Sequence, residues 1–232
     1  MAIADTPTVN VPRDAGHRRR RQKRSLITRD KIIAAAIEEF SQCGLRGASV
    51  SSIAEKAGID HGLITHHFGS KEALWQTVLT QSTTELELAL RDSLANSESV
   101  GAVDTLKLVK LHECFIRFIT DRPYFTAIMS HARTDPGVEI DSMMERQVTW
   151  TQDILIRLTR TAQAAGHYVE GDPAHLVLVF LGAAARVHMM PLEVKRLTGR
   201  GPFSRSFMRD HIKLCRRLFF RNLEDLSVKD ED

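Results

Sequence analysis

The sequence has few of the features that mark disulfide-rich or membrane-spanning proteins. Its three cysteines, Cys43, Cys114 and Cys215, are odd in number and far apart, which argues against a disulfide framework and for a reducing compartment. The first residues are polar and contain no apolar stretch typical of a secretory signal. The most apolar run, residues 174–190, is interrupted by charge and histidine and is shorter than the roughly 20 residues that a membrane span needs. We therefore expect a cytoplasmic protein without a membrane partner.

Signals for β-strands are also missing. No segment alternates apolar and polar residues over the length of a strand, and no hairpin signal joins two such segments. Apolar residues instead recur at helical spacing from about residue 28 to residue 223, and 43% of the chain is apolar, which is enough to bury a core. We predict an all-α protein of about nine helices.

Positive charge is concentrated near the N-terminus. The formal net charge is only +3, yet residues 1–24 contain two acidic residues against seven basic ones: Arg13, Arg18, Arg19, Arg20, Arg21, Lys23 and Arg24. The same residues include two prolines and little apolar content, so we predict an arm without regular structure. Such an arm can bind DNA by releasing counterions from phosphates, and Arg18, Arg19, Arg20 and Arg21 are candidate contacts; a solvated arm without a partner is the alternative.

The segment "SVSSIAEKAGIDHGLITHHFGSKEAL", residues 49–74, contains three helix starts close together. Ser49 can cap one short helix, and Gly58 supplies a tight turn. Asp60 can cap a second short helix, and Ser70 a long one. Two short helices joined by a turn with glycine predict a helix-turn-helix.

The second short helix has an apolar side and a polar side. Ile64 and Phe68 lie four residues apart and should face inward, which leaves polar side chains exposed. The major groove of DNA admits one helix and offers base edges to histidine and threonine, so we predict DNA contacts here. The candidate contacts are Ser49, Ser51, His61, Gly62, Leu63, Thr65, His66, His67 and Lys71, the last of these on phosphate. Surface histidines without a partner are one alternative, and a metal cluster is a weaker one, because the adjacent His66 and His67 diverge by about 100° on a helix.

The stretch from about residue 28 to residue 79 resembles the N-terminal DNA-binding domain of the TetR family of bacterial repressors. The residues that carry the resemblance are "IIAAAIEEFSQCGLRGASVSSIAEKAGIDHGLITHHFGSKEAL". Two positions depart from the family pattern: Thr65 stands where tyrosine is frequent, and Asp60 where serine is common. The resemblance implies a three-helix reading domain, a C-terminal helical domain for ligand sensing and dimerisation, and repression as the mode of action. Residues 25–75 would form the first domain, residues 76–226 the second and residues 227–232 an acidic tail.

The helix predicted at about 173–190 is apolar nearly all round, so both of its sides need cover. A partner subunit can cover one side, together with the last helix at about 203–223, in an isologous four-helix bundle. A fully buried helix in a monomer is the alternative. A two-fold dimer would bind a pseudo-palindromic double-stranded operator.

A pocket for a small, mainly apolar effector could lie between the helix after Ser70 and those predicted at about 103–120 and 140–165. The candidate lining residues are His112, Phe115, Tyr124, Met144, Gln147 and Arg186, for each of which an ordinary core or surface role is the alternative. The run of His112, Glu113 and Cys114 offers no supported nucleophile and base, so we predict no enzyme activity, no cofactor and no metal.

Two other functions are compatible with the sequence. A regulator of the same fold could act without a small-molecule ligand. A protein driven by the arginine-rich arm could bind DNA without sequence preference, and deletion of residues 1–24 would then abolish its binding.

Overall fold

A computed structural model of the chain describes residues 14–95, 103–134 and 142–226. These residues form ten α-helices and a short 3-10 helix at Leu223–Leu226, which confirms the all-α prediction. The helices are α1 (Asp14–Gly47), α2 (Val50–Ala57), α3 (His61–Phe68), α4 (Lys71–Ala95), α5 (Val103–Asp121), α6 (Pro123–Thr134), α7 (Ser142–Ala164), α8 (Pro173–Met189), α9 (Pro191–Thr198) and α10 (Arg205–Phe219).

Helix α9 is the one helix in the described ranges that we did not predict. Pro191 occupies its first turn and Gly199 ends it with φ 71°, its amide donating to the oxygen of Lys195 at 2.9 Å. These are ordinary start and stop signals. They were missed because α9 has only eight residues and exposes its leucines, Leu192 with 84% of its surface accessible. Helices α8 and α9 meet at 86°.

The arm is not entirely without regular structure. Residues 14–24 continue α1 toward the N-terminus, and residues 1–13 lie outside the described residues. Arginine, lysine and glutamine are good helix formers, so a basic run joined to a stable helix can extend it. Gly44, with φ 65°, interrupts α1 near its C-terminal end.

The first of two hydrophobic clusters, the N-terminal core, contains buried residues of α1, α2, α3, α4 and α6. Ile53 is buried in it, Ile64 is buried there as predicted, and Phe40 meets Trp75 edge to face with ring centroids 4.9 Å apart. Ile128 and Ala132 of α6 are buried in the same cluster. Helix α6 therefore completes the core of the helix-turn-helix domain, although it lies far along the chain.

The second cluster, the C-terminal core, joins α4, α5, α6, α7, α8 and α10. Helix α4 spans both cores, since Trp75, Val78 and Leu79 belong to the first and Leu86 and Leu90 to the second. Residue 75, where the domain boundary was predicted, thus lies inside a continuous helix and inside the N-terminal core. Apolar spacing along one helix does not show which core each turn enters.

No single helix in the described ranges is long and apolar enough to cross a membrane; α8 and α9 reach the required length and composition only together, across their bend. Within the same ranges, no group of three or more His, Cys, Asp or Glu side chains could hold a metal ion. The three cysteines are free thiols, with Cys43 exposed and Cys215 buried.

Candidate nucleic-acid interface

Helix α2 is held against α1 by a buried carboxylate. Glu39 accepts hydrogen bonds from Ser52 Oγ at 2.7 Å and from the Ser49 amide at 3.2 Å, and Lys56 Nζ lies 3.2 Å away. The hydrogen bond from Ser52, followed by those from Ser49 and Lys56, holds the pKa of Glu39 below its usual value against the opposing effect of burial. Sequence analysis missed Glu39, because its partners lie ten or more residues away along the chain.

The turn between α2 and α3 has the predicted caps. Ser49 Oγ accepts from the Ser52 amide at 3.4 Å, and Asp60 Oδ1 accepts from the Gly62 amide at 2.8 Å. Gly58 adopts φ 64°, which favours glycine, and closes α2 through its amide. A Cβ on Gly62 would lie 3.0 Å from Asp60 Oδ1, so a larger residue there would crowd the cap.

Helix α3 presents one side to solvent. Ile64 is buried, and Phe68 is half-buried with the Arg29 guanidinium 4.7 Å from its ring centre. Most of the predicted contacts on α2 and α3 are exposed and His67 is half-buried; the exposed ones are Ser49, Ser51, His61, Gly62, Leu63, Thr65 and His66. The packing of Ile64 and Phe68 thus fixes which side chains a DNA duplex could reach.

Lys71 has a partner within the domain. Its Nζ donates to the backbone oxygen of Ala48 at 3.1 Å, which ties the start of α4 to the α1–α2 connection. Ser70 caps the same helix by accepting from the Ala73 amide at 3.1 Å. Lys71 is therefore a support for the reading domain as well as a candidate phosphate contact.

The predicted arginine contacts fall on the first turns of α1. Arg18, Arg19, Arg20 and Arg21 all lie in the helical part of the arm. The side chain of Arg20 is exposed, and those of the other three are outside the described side chains. The structure thus places these residues on an extension of the reading domain's first helix.

The described members of the six predicted effector residues lie in different surroundings. His112 and Phe115 lie in the C-terminal core, whereas Arg186 is exposed on α8. Gln147 is buried but engaged by α4, its Oε1 accepting from Thr83 Oγ1 at 2.5 Å and its Nε2 donating to Thr84 Oγ1 at 2.7 Å. Tyr124 packs against both cores, and Met144 lies on α7 with its side chain outside the described ones. Their role as effector contacts stays a prediction, because helical spacing places residues on a face but not opposite a particular neighbour.

Helix α6 also approaches α1 closely at Gly44. A Cβ on Gly44 would lie 2.9 Å from His131 Nδ1, and the positive φ of Gly44 disfavours any side chain there. Arg122, just before α6, pairs with Glu85 of α4 at 3.1 Å and stacks over Phe118 of α5 at 4.3 Å. Helices α4 and α6 therefore both contribute to the C-terminal core and to the N-terminal core.

An apolar surface lies on the outer side of α8 and α10. Helix α8 buries Val177, Phe180, Ala184 and His188, while Leu178 is 60% exposed. The exposed apolar residues of this surface, which we call the α8–α10 surface, are Leu178, Val179, Met189, Leu214 and Leu218. Helix α8 is thus apolar on both its buried and its exposed side, as the sequence predicted.

Comparisons with known proteins place the chain among bacterial regulators. The family model described as "Bacterial regulatory proteins, tetR family" matches residues 32–78. The HTH-type transcriptional regulator UidR of Escherichia coli (strain K12) is 32% identical over 142 residues, which cover 60% of this chain and 68% of UidR. The HTH-type transcriptional repressor SCO4008 of Streptomyces coelicolor is 27% identical over 191 residues, covering 82% of this chain and 93% of SCO4008.

Solved structures share the fold over most of the chain. The crystal structure of AibR in complex with isovaleryl coenzyme A and operator DNA superposes with a TM-score of 0.69 and 16% identity, and it covers 84% of this chain and 98% of AibR. The likeness therefore extends beyond the helix-turn-helix to the arrangement of the C-terminal helices.

Proposed function

The chain belongs to the TetR family of bacterial regulatory proteins, and from that premise we propose that it acts in the cytoplasm as a homodimeric repressor, released from a pseudo-palindromic operator by a small, mainly apolar molecule. As a member of this family it is a transcriptional regulator with a DNA-binding helix-turn-helix. Dimerisation, repression and the effector are the proposed parts.

The observation that carries the proposal is the exposed polar side of α3. Buried Ile64 and the cap from Asp60 hold the helix in a fixed orientation, with His61, Thr65 and His66 in solvent. Threonine and histidine can donate to or accept from base edges in the major groove. A rigid helix that presents such groups is suited to reading sequence rather than only to binding charge.

The α8–α10 surface supports a two-fold dimer. Its leucines, valine and methionine are exposed on two helices that pack against each other, and a second copy would bury them. Two copies of α3 would then approach DNA about one helical turn (~34–36 Å) or a multiple of it apart. This geometry requires an operator with two related half-sites.

Helices α4 and α6 can transmit a movement from the C-terminal core to the domain that contains α3. Both contribute side chains to the N-terminal and C-terminal cores, so a shift of either helix in the C-terminal core moves atoms under the reading domain. An effector changes DNA affinity only if it binds better to one spacing of the two α3 helices than to another. A related fold with both a ligand and operator DNA, that of AibR, is compatible with such a scheme.

The deciding experiment is selection of DNA fragments by the purified full-length protein. We expect an enriched motif of two inverted half-sites, because a two-fold dimer presents two identical reading helices. Recovery of random sequence would contradict the proposal.

Deletion of residues 1–24 separates this function from binding without sequence preference. A repressor should keep its preference for the selected motif and lose mainly overall affinity, with a shallower dependence on salt. Loss of all DNA binding in the truncated protein would favour the arginine-driven alternative. Because the deletion removes the first turns of α1, circular dichroism should first show that the truncated protein still unfolds cooperatively.

A further inference from the structure

His112 of α5 is a polar side chain at the centre of an aromatic cluster. It is only 4% exposed and stacks on Phe180 of α8, with ring centroids 3.4 Å apart and planes at 11°. The rings of Tyr168, Phe219 and Phe220 surround it at centroid distances of 6.0, 6.0 and 5.2 Å. Neither imidazole nitrogen makes a hydrogen bond to any described residue.

Two hydroxyl groups in the same part of the core are also buried without a well-formed hydrogen bond. Tyr168 and Thr159 are buried, and neither hydroxyl has a hydrogen-bond partner of good geometry among the described residues. The two hydroxyls are close enough for a weak hydrogen bond between Thr159 and Tyr168, which opposes the rise that burial causes in the pKa of Tyr168. Buried polar groups in native proteins are paired in the great majority, so an imidazole without a partner beside two hydroxyls without a well-formed hydrogen bond requires an explanation.

The electrostatics of the cluster favour an uncharged guest. Burial alone lowers the pKa of His112 to about 3, and no charged group among the described residues contributes to that shift. The imidazole is therefore neutral near pH 7, with one nitrogen able to donate and the other able to accept. A carboxylate placed here would lose its hydration without gaining a counter-charge.

We propose that His112, Tyr168 and Thr159, together with the rings of Phe180, Phe219 and Phe220, form the effector site, and that it takes an uncharged, flat, largely apolar molecule carrying a hydroxyl or carbonyl group. This inference rests on the proposed function, in which a small molecule releases the protein from DNA. The rings supply apolar stacking faces, and the three polar side chains supply the hydrogen bonds that orient the polar group.

In the structure the His112 and Phe180 rings fill the space between α5 and α8, so a guest must separate them. The cluster is closed on one side by backbone pairing of two segments, in which Val169 N donates to Phe219 O at 2.9 Å and Arg221 N donates to His167 O at 3.0 Å. Helix α5 leads directly through Arg122 into α6, so movement of α5 reaches the N-terminal core. Occupation of the cluster thereby biases the position of the reading domain.

Three probes with the same ring system test the chemistry. β-Naphthol has an uncharged hydroxyl near pH 7, naphthalene has no polar group, and β-naphthoate carries a negative charge. Isothermal titration of the full-length protein should give a Kd for β-naphthol about tenfold or more below those of the other two, the size expected for one well-paired buried hydrogen bond. β-Naphthol should also weaken binding to the selected operator.

The variants His112→Phe and Tyr168→Phe remove polar atoms while keeping ring packing. Each should reduce the preference for β-naphthol over naphthalene, and His112→Phe should also raise the Tm of the ligand-free protein, because it removes an unpaired buried group. Thr126→Val, a buried hydroxyl of α6 outside the cluster, is the matched control and should leave the preference unchanged.

The inference is overturned if none of the probes binds, if β-naphthoate binds as tightly as β-naphthol, or if His112→Phe keeps the full preference. Binding that leaves operator affinity unchanged would overturn the role of the cluster in sensing. Any of these results with a protein that still selects an inverted-repeat operator refutes this inference alone. Failure to select an operator refutes the proposed function instead.

Discussion

At the scale of single residues, Thr65 tests whether α3 reads bases. It is exposed on α3 and lies about 100° around the helix from the buried Ile64. We expect Thr65→Ala to reduce discrimination between the selected operator and random duplex by about 1–3 kcal/mol, because a base contact is lost while phosphate contacts remain. Fluorescence anisotropy with both duplexes measures the difference. An equal loss of affinity for both would show that Thr65 does not read sequence.

Lys71 should behave differently, because it supports the fold as well as facing the predicted DNA. Lys71→Ala removes the hydrogen bond to Ala48 O, so we expect a lower Tm by thermal denaturation together with weaker binding to all duplexes. Lys71→Met keeps the packing of the stem and is the control for lost side-chain volume. A variant with unchanged Tm and unchanged affinity would leave Lys71 with neither role.

Glu39 offers a prediction that depends on pH. Glu39→Gln should lower the free energy of unfolding by about 1–3 kcal/mol at neutral pH, since a charged acceptor of buried hydrogen bonds is lost. The folded-state pKa of Glu39 lies below its ordinary value of 4.5, so its contribution is present above that pH and disappears as the pH falls through the folded-state value. Urea denaturation across this range should show the two proteins converging in acid. A constant difference down to the acid limit would mean that the carboxylate charge is unimportant.

At the scale of elements, the middle of α4 has side-chain hydroxyls bonded to the backbone of the same helix. Three successive residues between the two cores, Ser82, Thr83 and Thr84, direct hydroxyls to backbone oxygens four residues earlier, at 2.8, 3.1 and 2.7 Å. Such bonds compete with the helical ladder and often bend helices. Gln147 of α7 holds this turn through Thr83 and Thr84.

Gln147→Leu should therefore loosen α4 where it passes between the cores. We expect faster amide hydrogen exchange at about residues 82–86 and a loss of about 1–2 kcal/mol in stability, limited because both threonine hydroxyls keep backbone acceptors. Gln152→Leu, a half-buried residue of the same helix, is the control. Equal exchange in the two variants would remove Gln147 as the link between α7 and α4.

The features that could be predicted from the sequence are those formed between neighbours in the chain, and the features that could not be predicted join distant residues. The caps at Ser49 and Asp60 and the turn at Gly58 involve neighbours in the chain, so their signals are local and were readable. The bond between Gln147 and Thr84 joins residues 63 positions apart, and the insertion of Ile128 into the N-terminal core depends on how the helices pack. Periodicity gives the face of a helix but not its neighbour, which is why the contact between Gln147 and α4 could not be predicted.

At the scale of the whole molecule, the α8–α10 surface predicts the oligomeric state. Leu178→Glu places a charge on this surface, so we expect dissociation into monomers and a large loss of operator affinity. Light scattering coupled to size exclusion measures the mass. Leu88→Glu, at a leucine of α4 that is 54% exposed and outside this surface, is the matched control and should remain dimeric. A monomeric wild-type protein, or a dimeric Leu178→Glu variant, would contradict the proposed interface.

The pairing of residues 167–169 with residues 219–221 has a consequence for biosynthesis. During translation α5, α7 and α8 exist before Phe219 and Phe220, so the nascent chain cannot finish enclosing His112 until the later segment has been made. During that interval the apolar ring faces of the cluster around His112 remain exposed to water, and chaperones bind surfaces of this kind. A stall or frameshift shortly before codon 219 would therefore yield a polypeptide with an intact N-terminal core and an incomplete, aggregation-prone C-terminal core.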